Sequence, residues 1–60
     1  MSIRLTALLN EFEGQLSVDE PTIVSFAERA QRILPKNHGY WVVSFSRHAR
    51  WLLRRRGERP

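Results

Sequence analysis

Pro21 and Pro35 divide a chain of 60 residues into three pieces, and each piece repeats its apolar residues at helical spacing. A proline inside a helix loses a backbone hydrogen bond and clashes with the preceding turn, so both positions mark breaks. In the first piece Leu5, Leu8, Leu9, Phe12 and Leu16 recur at i, i+3, i+4, i+7 and i+11. That is one stripe of a helix running from about Ser2 to Leu16. Ser2 is the expected N-cap, its hydroxyl accepting from a free amide of the first turn. Gly14 weakens the last turn by up to ~1 kcal/mol relative to Ala.

The second piece opens on Ser17-Val18-Asp19-Glu20-Pro21. Ser17 and Glu20 have capping-box spacing, but Pro21 suits the first helical position, where its missing N–H does no harm. A second helix is therefore expected from near Pro21, with acidic groups at its positive end. Its stripe is Ile23, Phe26, Ala27, Ala30, Ile33 and Leu34, with Arg29 and Arg32 on the outer side; Pro35 stops it.

Pro35-Lys36-Asn37-His38-Gly39 has the composition of a turn. The next residues, Tyr40 to Phe45, are β-branched and aromatic, which favours a strand. A lone strand has nothing in this chain to pair with. The helical reading also fits, because Val42, Phe45, Ala49 and Leu52 continue one stripe to Leu53. Ser44 or Ser46 could cap a shorter helix starting there. The reading adopted is a third helix from Tyr40 or Ser46 to Arg56, closed by Gly57 in the left-handed region. The expected fold class is all-α: one small three-helix domain spanning residues 1–60, with an extended segment at 40–45 as the open alternative.

A domain this small has little core and usually needs a staple. There is no cysteine, so neither a disulfide nor a thiolate metal site can serve. His38 and His48 lie far apart without a matching acidic pair, and no metal or cofactor is expected. Self-association is the remaining common staple, and the expectation is a homodimer. No run approaches the ~20 apolar residues of a membrane span. Asn10, Glu11 and Glu13 interrupt any signal-like stretch near the N-terminus, so the chain reads as soluble, unprocessed and cytoplasmic.

Charge is the functional signal. Residues 47–60 hold six arginines (Arg47, Arg50, Arg54, Arg55, Arg56 and Arg59) against Glu58 alone, a net +5. Residues 1–46 hold four basic and five acidic groups, a net −1. On a helical projection Arg47, Arg50 and Arg54 lie nearly opposite Val42, Phe45, Ala49, Leu52 and Leu53, and Trp51 and Tyr40 fall on the charged side. Basic groups in a last turn are explained by the helix macrodipole, which covers Arg54, Arg55 and Arg56 but not Arg47 and Arg50.

The leading expectation is a small regulatory or accessory protein that binds DNA or RNA. Arg47, Arg50, Arg54 and Arg55 would hold phosphates or base edges and Trp51 would stack, with Ser44, Ser46 and Asn37 adding phosphate hydrogen bonds. Two helices, a turn and an Arg-bearing helix follow the order of a helix-turn-helix unit. The connection from Pro35 to Gly39, or to Phe45, is longer than that motif's three or four residues. The alternative is a protein-binding modulator, an adaptor or inhibitor, docking on an acidic protein partner through Tyr40, Trp41 and Val43 with the arginines steering association. A membrane-surface helix ranks third, because the apolar face is needed for the core. An enzyme is not expected: Ser46 and His48, like Glu11 and Glu13, stand two apart and diverge on a helix, and no Gly-rich phosphate loop is present.

Overall fold

The computed structural model describes residues 2–57, and these form three α-helices with no strand among the described residues: α1 (Ile3–Glu13), α2 (Glu20–Ile33) and α3 (His38–Arg55). Glu58 and Arg59 lie outside the described residues. Each helix begins on a side-chain cap. Ser2 Oγ accepts from the Leu5 amide at 3.4 Å, and Asp19 Oδ1 accepts from the Thr22 amide at 3.2 Å and the Thr22 hydroxyl at 2.7 Å. Asn37 Oδ1 accepts from the Tyr40 amide at 2.7 Å. These caps satisfy amides that have no partner inside the helix.

The boundaries differ from the sequence expectations in four places. First, α1 ends at Glu13, before Leu16. The Gly14 amide closes back on Asn10 and Glu11, both at 3.2 Å, and the chain then leaves the axis. Leu16 is consequently 99% exposed, and Val18, which belongs to no stripe, is buried in its place. Second, Asp19 caps α2 and the helix starts at Glu20, so Pro21, expected at the first helical position, stands at the second. Third, α2 stops at Ile33 because Leu34, preceding a proline, is extended (φ −131°, ψ 105°) and 42% exposed. Fourth, α3 begins at His38, earlier than Tyr40 or Ser46, so neither Ser44 nor Ser46 is a cap and residues 40–45 are helical. Tertiary burial of Phe45 overrides the strand preference of that stretch. At the other end Gly57 has φ 79°, as its position at a helix stop requires.

One phenylalanine from each helix meets at the centre. Phe12 of α1 packs edge-on to Phe26 of α2 at 5.1 Å and to Phe45 of α3 at 4.9 Å. Ala27 and Ala30 of α2 and Ala49 of α3 are buried in the same core. Leu8, Val18 and Leu52 complete the core, with Leu5, Ile23, Ile33, Trp41, Val42 and Leu53 packed around it; Leu9 lies at its exposed margin. No polar side chain is buried among the described residues. The α1 stripe is thus narrower than its spacing predicts. Among the described residues, no helix is long and apolar enough to cross a membrane.

Candidate nucleic-acid interface

The apolar back of α3 fixes what its front can display. Phe45, Ala49 and Leu52 are buried against α1 and α2, so the opposite side faces solvent. Tyr40, Val43, Arg47, Arg50, Trp51 and Arg54 recur along that side and all are exposed. Tyr40 and Val43 are each about half exposed, so two of the three residues assigned to a protein contact share one face with the arginines. At 1.5 Å per residue, Arg47 to Arg54 spans about 10 Å along the helix axis.

α3 contains no Asp or Glu. Among the described residues the Arg29–Glu11 ion pair closes at 2.6 Å and His48 Nε2 lies 2.9 Å from Glu13 Oε2, and neither contact involves the α3 arginines. Arg47, Arg50 and Arg54 therefore have no carboxylate partner among the described residues. They are also like-charged neighbours at i, i+3 and i+4 spacing, which costs an isolated helix about 0.2–0.5 kcal/mol per pair. An anion at this face would relieve that repulsion.

Trp51 and Arg55 are organised differently. The indole, 47% exposed, stacks on His48 at 5.2 Å with a 24° interplanar angle, and the Arg55 guanidinium lies over the same indole at 4.6 Å. His48 precedes Trp51 by about one turn and Arg55 follows it by about one turn, so the ring is flanked along the helix by both. His48 is itself held by the Glu13 carboxylate, and the Arg56 guanidinium donates to the Glu13 carbonyl at 2.8 Å. Glu13 thus straps the end of α1 to the last turns of α3. The spacing of the sequence marks His48 as an ordinary flank residue, and nothing in it points to Glu13, 35 positions away.

The remaining expected contacts separate from this face. Ser46 is half-buried and sits roughly 100° around the helix from Arg47, toward Leu53. Trp41 is half-buried, packs against the core and donates its indole N–H to the Leu34 carbonyl at 3.2 Å, which ties it to the α2–α3 junction. Asn37 uses its side-chain oxygen as the α3 cap, so that atom is spent within the fold. The connection Leu34–Asn37 has four residues because α3 starts early; the expected long turn is corrected, and the length fits a helix-turn-helix unit. Among the described residues no His, Asp or Glu cluster of three or more is placed to hold a metal ion. Comparison with protein-family models, curated proteins and solved structures finds no match for this chain.

Proposed function

We propose that this chain is a small nucleic-acid-binding protein of regulatory or accessory type, docking duplex DNA through the outer face of α3. The observation that carries the reading is an arginine row with no carboxylate partner among the described residues, on a helix whose reverse side is seated in the core. Guanidinium groups present planar donor forks to phosphates and to guanine edges. The four-residue connection between α2 and α3 supports a recognition-helix placement. DNA is favoured over helical RNA because the deep, narrow major groove of A-form RNA excludes a helix. Arg47, Arg50 and Arg54 serve as phosphate or base-edge contacts. Arg55 acts from its seat on Trp51, and the exposed indole edge is left for a sugar or base.

The test is fluorescence anisotropy with a labelled duplex, comparing the parent with Arg47→Ala/Arg50→Ala/Arg54→Ala. Loss of binding with helical circular dichroism unchanged supports the reading. Undiminished binding by the triple variant overturns it.

One observation favours a second reading, a modulator of an acidic protein partner. A groove of about 340 Å³ between α1 and α3 is lined mainly by Leu5, Leu9, Trp41 and Phe45, with the Tyr40 ring edge-on to Trp41 at 5.0 Å. An apolar groove beside a cationic face suits an amphipathic acidic segment. Binding of an acidic amphipathic peptide that disappears with Leu9→Asp, from a parent that retains no duplex, would move the assignment there.

A further inference from the structure

We infer that the groove between α1 and α2 is a second phosphate-binding site, through which one molecule joins two duplexes; this rests on the duplex-binding reading of α3. The groove has a volume of about 360 Å³ and is lined by Arg4 of α1 and by Arg29 and Arg32 of α2, with Glu11 as its one acid. That acid is spent. Both Glu11 oxygens accept from Arg29, at 3.2 and 2.6 Å, and the Arg29 guanidinium also lies 5.0 Å over the Phe26 ring. Arg29 is therefore a fixed wall, while Arg4 and Arg32 have no ion pair among the described residues. Three guanidiniums face one carboxylate.

Arg32 stands in the last turn of α2, where the macrodipole favours a cation. Arg4 has no such explanation. It stands in the first turn of α1, a turn without Asp or Glu, so its charge adds to the positive end of that helix. An isolated fold gains nothing from this placement, and a phosphate shared by Arg4 and Arg32 gives it a purpose. Both are arginines, the side chain whose fork matches phosphate oxygens.

The site faces away from α3. The flank of α1 that meets α3 carries Leu5, Leu9 and Glu13, and Arg4 and Glu11 lie on its other flank. The first duplex would lie on α3, and the second would lie across a body only 32 × 21 × 15 Å in extent. Two or three guanidiniums hold a phosphodiester backbone weakly, but joining two long duplexes at many points makes weak second contacts effective.

The experiment uses the full chain, a biotinylated duplex on beads and a free labelled duplex, with single-duplex affinity measured in parallel. The parent is expected to retain the free duplex on the beads. Arg4→Gln/Arg32→Gln should lower that retention at least about tenfold while changing single-duplex affinity by less than about twofold. A parent that binds one duplex but retains no second overturns the inference and leaves the α3 reading intact. So does a double variant that still bridges, because a homodimer carrying one α3 face per protomer would do that without the groove. Failure to bind any duplex removes both.

Discussion

Salt dependence turns the count of free guanidiniums into a number. Arg47, Arg50 and Arg54 have no carboxylate partner among the described residues, and Arg55 is held over Trp51. Four phosphates neutralised by these groups would release counterions with a log–log slope of about −3.6. Raising monovalent salt from about 50 to about 200 mM should therefore weaken binding roughly 150-fold, near 3 kcal/mol. Arg50→Ala removes one contact without touching the core, because Arg50 is fully on the exposed side. Its slope should relax to about −2.7, and the same salt step should cost only about 40-fold. Anisotropy titrations of a labelled duplex at five or six salt concentrations give both slopes. Tight binding with a slope shallower than about −1 in the parent would refute the counting, since phosphate contacts cannot escape counterion release. A parent slope that Arg50→Ala leaves unchanged would remove that residue from the interface.

Three further outcomes follow from the fold. Phe12, with no exposed surface and edge contacts to Phe26 and Phe45, should cost about 3–5 kcal/mol as Phe12→Ala. A domain of this size holds only about 3–9 kcal/mol, so the variant should melt about 12–40 °C lower by circular dichroism, and a cooperative transition lowered by only a few degrees would contradict the core assignment. Asn37→Ala should lower the melting temperature by about 4–8 °C through loss of ~1 kcal/mol of capping, whereas Asn37→Asp should retain most of it. The Arg29 guanidinium holds the Glu11 carboxyl below the usual carboxylate range, and the Thr22 hydroxyl and amide do the same for Asp19. Both groups bind protons more readily when unfolded, so their contribution is present above about pH 4–5 and lost as pH falls below. Thermal melts should show stability declining through that window, with Glu11→Gln flattening part of the decline; a flat parent profile would argue against either group contributing.

The three helices were legible in the sequence because apolar spacing and proline position act locally. Phe12, Phe26 and Phe45 lie on their stripes as expected, and Gly57 takes the conformation its place demands. Local patterning failed where tertiary geometry chose between equivalent residues. Leu16 continues the α1 stripe on paper, but the turn at Gly14 carries it into solvent and brings Val18 inward. Asn37 and Asp19 are caps that composition allowed without selecting. The exposed arginine row was legible from its spacing on one helix. The Glu13–His48 strap and the pairing of Arg29 with Glu11 were not, since each joins residues distant in sequence and no periodicity links them. The same holds for Arg4 and Arg32, which only the packing of α1 on α2 brings to one groove.

The most direct measurement is a titration of isotope-labelled protein with a short duplex, followed residue by residue in amide and side-chain NMR spectra. Shifts should concentrate on Val43, Arg47, Arg50, Trp51 and Arg54, while Phe12, Phe26 and Ala30 keep their positions and α3 stays helical. Shifts confined to Leu5, Leu9 and Trp41, or an α3 that unwinds on adding the duplex, would contradict a binding face carried on a seated helix.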